Sequence, residues 1–304
     1  MAINHQYELL ESVEADVRLL MDRHKAQRRS WLFHDFIPWE QGRNFVEEPW
    51  DESQCTISPV ARTSLLLNLL TEDNLPYYHE AIGRFMLPDS AFTEWNRLWT
   101  AEEGQHAIAM RSYLLTTRNC DPVELEVSRM STMQVGYQSP YTAPTELFAY
   151  TAAQELATRV SHRNAGKITD DPIAFELMKR IARDENHHFV FYRGVVTALL
   201  AGDASLALAG IHAVLSNFEM PGACTPKFRR RSIAMANAGV YSLRVHRDHV
   251  VLPLLRDWNV GGLQGLTAAG AECQDKLMAL PAALLEGAEL FEARMATRAG
   301  RAAL

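Results

Sequence analysis

Trp99-Thr100-Ala101-Glu102-Glu103-Gly104-Gln105-His106 and Asp184-Glu185-Asn186-His187-His188 each hold a Glu-x-x-His step, Glu103 to His106 and Glu185 to His188, inside a helix-patterned segment. A helix brings residues three apart onto adjoining positions of one face, so the Glu oxygen and the His nitrogen of each step can reach the same metal. Each step is preceded by another helical segment with a lone inward carboxylate. Glu72 follows Leu65-Leu66-Leu67-Asn68-Leu69-Leu70-Thr71, and Glu155 follows Tyr150-Thr151-Ala152-Ala153-Gln154. The order Glu, Glu-x-x-His, long connection, Glu, Glu-x-x-His offers four carboxylates and two imidazoles, the set that four bundled helices use to hold a carboxylate-bridged metal pair. One such step is expected roughly once by chance in a chain with this much Glu and His. Two in register, each paired with a Glu-bearing helix, are poorly explained by a solvated helix face.

Glu72 and Glu155 sit in largely uncharged helices, where a carboxylate without a partner is costly. A metal supplies that partner, and six ligands of mixed oxygen and nitrogen character suit iron, with manganese in second rank, better than tetrahedral zinc. Glu102 and His187 are one residue away from ligands, a rotation of about 100°, and read as supporting or surface positions. Asp184 precedes Glu185 and is placed to accept a bond from the outer nitrogen of a ligand His across the bundle, which fixes the tautomer.

Working outward, the pattern predicts an all-α chain. Leu10, Val13, Val17 and Leu20 make an amphipathic face on a first helix over residues 6–28. Residues 30–59, with Trp31, Phe33, Phe36, Trp39, Phe45 and Trp50 among Pro38, Gly42, Pro49 and Pro59, form an aromatic arm too apolar for a free linker. Four long helices are expected at 60–85, 89–116, 144–167 and 172–200, paired as two hairpins by a long crossover at 117–143. Asp171-Pro172 marks a helix start. Further helices are expected at 204–219, 227–259 and 267–297. The whole reads as one domain: residues 1–59 as helix and arm, 60–200 as the ligand-bearing core, 201–304 as added helices.

The 304 residues, 47% hydrophobic and 22% charged, suffice for a sizeable core. A net charge of −7 argues against a general nucleic-acid binder. Cys55, Cys120, Cys224 and Cys273 have no Cys-x-x-Cys spacing, which suggests neither a zinc ribbon nor a disulfide framework and fits a reducing cytoplasm. Neither a secretory signal nor a membrane span is expected.

The segments around Glu72, Glu103 and Glu185, together with Tyr150 through His162, resemble the soluble acyl-acyl carrier protein desaturases of plant plastids and actinobacteria. The likeness extends to Trp31 through Asp35-Phe36-Ile37-Pro38, and to Gly239-Val240-Tyr241, Trp258-Asn259-Val260, Gly265-Leu266-Thr267 and Leu280-Pro281. It implies a ferritin-like four-helix bundle with additional N- and C-terminal helices. Two irons would be held by Glu72, Glu103, His106, Glu155, Glu185 and His188. The implied enzyme is a homodimer that takes electrons from ferredoxin and its reductase and inserts a cis double bond into a saturated acyl chain borne as a thioester on acyl carrier protein. The resemblance also assigns Thr158 to proton transfer during O2 activation and Trp31, Asp184 and His106 to an electron path, and it lines the substrate channel with Ala81, Phe85, Leu147 and Phe148.

Because acyl carrier protein is acidic, its docking surface should be basic. Lys227, Arg229, Arg230 and Arg231 are the preferred cluster over Arg23, Lys25, Arg28 and Arg29. The chain departs from the plant pattern at Gly104-Gln105 and Leu156, none of them ligands, and at Leu147, where the family often has a small residue. Chain length and double-bond position therefore do not carry over. Two other readings share the fold: a di-iron oxygenase that hydroxylates a carrier-bound substrate, and a non-catalytic carrier-binding protein, against which the intact ligand set argues.

Overall fold

The computed structural model describes residues 2–302. Two helices, α1 (Ala2–Ser12) and α2 (Glu14–Gln27), open the chain where one was expected. The break at Val13 lets Leu9, Leu10, Val13 and Val17 all bury. The aromatic arm carries only short 3-10 turns before α3 (Pro59–Glu72) and α4 (Leu75–Gly83). The sequence pattern predicts one helix over 60–85. Pro76 has no N–H to offer the carbonyl of Glu72, so the helix ends at the ligand and restarts.

α5 (Ala91–Thr116) follows, then α6 (Pro122–Val135) inside the stretch read as a plain crossover. Asp121 caps α6 through the N–H groups of Val123 and Glu124, the same Asp-Pro device by which Asp171 starts α8. α7 (Pro144–Lys167), α8 (Pro172–Gly202) and α9 (Ala204–Leu215) come next. The stretch expected as one helix from 227 to 259 is divided into α10 (Phe228–Asn237), α11 (Leu243–His246), a π-helical turn (Arg247–Val251) and α12 (Leu252–Asp257). Gly239, at φ +72°, makes the turn that ends α10. α13 (Ala268–Ala302) closes the chain.

α3, α5, α8 and α7 pack in a ring, each against two of the others. This is the ferritin-like bundle expected of the sequence. α2 lies on α5 and α8, α9 joins α7 to α13, and α10 covers α3. The bundle interior is not one continuous apolar core. Along α5, residues 91–99 belong to one apolar cluster and 107–114 to a second; on α8 the second cluster takes 174–181 and the first 189–200. Between the two clusters, at one level, lie the residues of the two Glu-x-x-His steps. Among the described residues no helix is long and apolar enough to cross a membrane.

Candidate metal centre

Glu72 at the end of α3, Glu103 and His106 on α5, Glu155 on α7, and Glu185 and His188 on α8 are all buried. Their ligand atoms fall into two quartets: Glu72, Glu103, His106 and Glu185, and Glu103, Glu155, Glu185 and His188, with all atoms of each within 4.8 Å of one another. Glu103 and Glu185 belong to both. His106 Nδ1 lies 3.0 Å from Glu103 Oε2, 3.3 Å from Glu185 Oε1 and 3.9 Å from Glu72 Oε2. His188 Nδ1 lies 2.6 Å from Glu103 Oε1 and 3.6 Å from Glu155 Oε2. The two groups could each hold a metal ion, with Glu103 and Glu185 available to both and one further Glu and one His to each.

The outer nitrogens face acids reciprocally. His106 Nε2 lies 3.5 Å from Asp184 Oδ2 without a hydrogen bond, and His188 Nε2 donates to Glu102 Oε2 at 2.9 Å, so the acid ahead of each step faces the imidazole of the other. Asp184 in turn accepts from Trp31 Nε1 at 2.6 Å and from Arg180, whose guanidinium lies 5.4 Å over the Trp31 ring. Glu102 accepts from His24 Nε2 at 2.9 Å and from Arg28. The bond to Glu102 leaves Nδ1 of His188 free for a metal.

Of the two readings open to Glu102, supporting or surface, the structure has the supporting one, in a place that matches that of Asp184. Sequence reasoning missed His162, whose buried Nε2 lies 3.0 Å from Glu72 Oε1 and 3.4 Å from Glu185 Oε1. Glu155, Thr158 and His162 follow the spacing of one helix face, and that was the available signal. Trp99 Nε1 donates to Glu155 Oε1 at 2.9 Å, and Thr158 Oγ1 donates to Glu185 Oε2 at 2.9 Å.

Burial pushes Glu72 up to about 7 and Glu155 well above the carboxylate range, with the neighbouring Glu185 charge adding to both. Burial acts the same way on Glu185, but His106 and His162 outweigh it and hold this carboxyl well down. Burial lowers His106 and His188, but Glu103 together with the other acids around each, Asp184 and Glu185 for His106 and Glu102 and Glu155 for His188, raises both well above the usual imidazole range. Glu103 Oε1, Glu155 Oε2, Glu185 Oε1 and the Nδ1 atoms of His106 and His188 are buried and make no hydrogen bond. The orphaned atoms are those a metal pair would engage, and the donor set fits two divalent ions whose uptake expels protons.

Beside Trp99, a slit of about 20 Å³ lies between α4, α5 and α7, walled by Ala81, Ile82, Leu147, Thr151 and Gln154. Ala81 and Leu147, two of the residues expected along a substrate channel, are among its lining residues. Phe148 does not line the slit; it is fully buried against Phe92, and Phe85 packs on the same apolar cluster. Tyr137, Tyr150 and Pro221 separate the slit from an open groove of about 870 Å³ that includes Glu146, Asn217 and Cys224. Of the basic cluster, Arg229 and Arg230 are exposed and Lys227 pairs with Glu124 at 3.0 Å. Arg231 is buried and donates to the Pro226 carbonyl, so it is not part of a basic surface.

The profile of the fatty acid desaturase family matches residues 5–303. A Mycobacterium tuberculosis protein that its name describes as the acyl-[acyl-carrier-protein] desaturase DesA1 is 42% identical over 281 residues, 89% of this chain and 83% of its own. A chloroplastic stearoyl-[acyl-carrier-protein] 9-desaturase of Arabidopsis thaliana is 26% identical over 294 residues, covering 89% of this chain and 73% of that protein. The X-ray structure of the M. tuberculosis protein titled as the acyl-ACP desaturase DesA2 superposes with a TM-score of 0.71 at 29% identity, over 84% of this chain and 96% of that one.

Sharing of Glu103 and Glu185 between the quartets makes their loss different in kind from loss of an end ligand. Glu185→Ala should bind neither metal, whereas His106→Ala should keep the position built from Glu103, Glu155, Glu185 and His188. Metal per chain, measured by elemental mass spectrometry on desalted protein, checks this; equal loss in both variants would rule out the shared arrangement.

Proposed function

The chain belongs to the fatty acid desaturase family, and on that premise we propose that it is an acyl-acyl carrier protein desaturase with two iron ions in the paired quartets. One observation carries the reading: two ligand quartets that share Glu103 and Glu185 lie behind Trp99, which donates to Glu155 and walls an apolar slit abutting a surface groove. Two ferrous ions bound there supply the reduction of O2 that drives removal of two hydrogens from a saturated chain. The residues do the rest. Ala81, Ile82 and Leu147 wall the slit, so an acyl chain entering past Tyr137 and Tyr150 excludes water and presents one methylene pair beside Trp99 and Glu155. Leu147, filling space where relatives are often small, shortens the far end.

Thr158 Oγ1 reaches Glu185 Oε2 at 2.9 Å and the Gln154 and Glu155 carbonyls at 3.1 and 3.2 Å, so turning its hydroxyl between them can pass a proton within the ligand layer. Trp31, stacked at 6.5 Å on the His106 ring and bonded to Asp184, gives electrons from a ferredoxin a route inward. Arg229 and Arg230, on the helix that follows the groove segment 217–224, meet the acidic carrier. On α6, Val123, Val127 and Met130 form a stripe more than half exposed, close to what a second copy of the chain would cover in a homodimer. The four cysteines are free thiols, in keeping with a reducing cytoplasm.

Iron-loaded protein with ferredoxin, its reductase and O2 should convert a saturated acyl carrier to a product two mass units lighter. A gain of sixteen would mean hydroxylation instead, and no change despite carrier binding would point to a non-catalytic role. Leu147→Gly should shift the preferred substrate to longer chains, read by competition among carriers of several lengths; an unchanged preference removes Leu147 from the end wall. Met130→Glu should convert a dimer to a monomer in sedimentation analysis, and a dimer that persists would place the interface elsewhere.

A further inference from the structure

Desaturation takes in O2, two electrons from the donor and two protons, and gives an alkene and two waters. Two C–H bonds and the O–O bond break; the C=C π bond and four O–H bonds form. While an acyl chain fills the slit beside Trp99, that apolar route cannot pass water. A second cavity, of about 50 Å³, lies between α3, α7 and α10. Along α7 the two stand on opposite sides of Glu155 and Thr158: residues 147–154 wall the slit, and Ser161 walls the cavity.

The inner wall of this cavity is polar and adjoins the ligand layer. Thr71 precedes Glu72, and Ser161 precedes His162, whose Nε2 is 3.0 Å from Glu72 Oε1. Asn68, one turn before Glu72, is 7% exposed. Its Oδ1 accepts from Ser161 Oγ at 3.1 Å, while its Nδ2 has no partner. A buried amide N–H without an acceptor is costly, and a cavity of this size, with Asn68, Thr71 and Ser161 on its inner side and apolar residues around the rest, has room for water to supply one. At the outer end Ser232 and Tyr241 are partly exposed. We propose that this cavity is a hydrated site through which water and protons pass between the ligand layer and solvent, with Asn68 and Ser161 holding the innermost water. The proposal rests on the desaturase reading for the reaction it serves, and on the cavity and its unpartnered amide for its place.

A high-resolution crystal structure of the metal-loaded protein should show an ordered water within hydrogen-bond reach of Asn68 Nδ2. Asn68→Leu and, at the partly exposed mouth where folding is not at stake, Ser232→Leu should each slow O2 consumption roughly tenfold and raise its solvent deuterium isotope effect, with bound metal and KM for the acyl carrier held within about twofold. A dry cavity overturns the proposal, as do two variants that keep the parent rate and isotope effect. O2 consumption without an alkene product, still slowed in both variants, would remove the desaturase reading and leave the water route standing.

Discussion

Four carboxylates sealed at one level between two apolar clusters set the terms for the rest of the structure. Unpaired, such charges are too costly to keep, and the protein answers with imidazoles on the inside and protons wherever imidazoles fall short. Two divalent ions would balance four carboxylates with no proton left over. α2 and α10 pack directly on the ligand-bearing helices, while α9 lies on α7 and α8 and carries α13 outside it.

Much of this was legible because the chemistry repeats. Two Glu-x-x-His steps and two lone Glu residues fix which helices face inward and at what level, and the all-α ferritin-like bundle follows. Helix boundaries were less legible, for local reasons. Pro76 was visible, but only the need of Glu72 to sit at a helix end gives the break its meaning. The Asp121-Pro122 start of α6 carries the same signature as Asp171-Pro172, inside a stretch whose place between the hairpins speaks only for a connection.

Side-chain direction was the harder matter. Glu102 does turn away from its own helix's ligands, as one residue's rotation demands, but that rotation aims it at His188 on α8. Arg231, within a run of three arginines, faces inward because the register of α10 on α3 buries every third or fourth position, Arg231 and Met235 among them. Spacing within one helix predicts what shares a face; it does not say which neighbour that face meets.

The exchange of acids behind the two imidazoles ties the hairpins together. Each hairpin brings a lone Glu, an acid and a Glu-x-x-His step. Yet Asp184 of the second hairpin faces His106 of the first, and Glu102 of the first accepts from His188 of the second. Each half borrows from the other the group that stands behind its imidazole, so the hairpins make a complete ligand layer only as a pair.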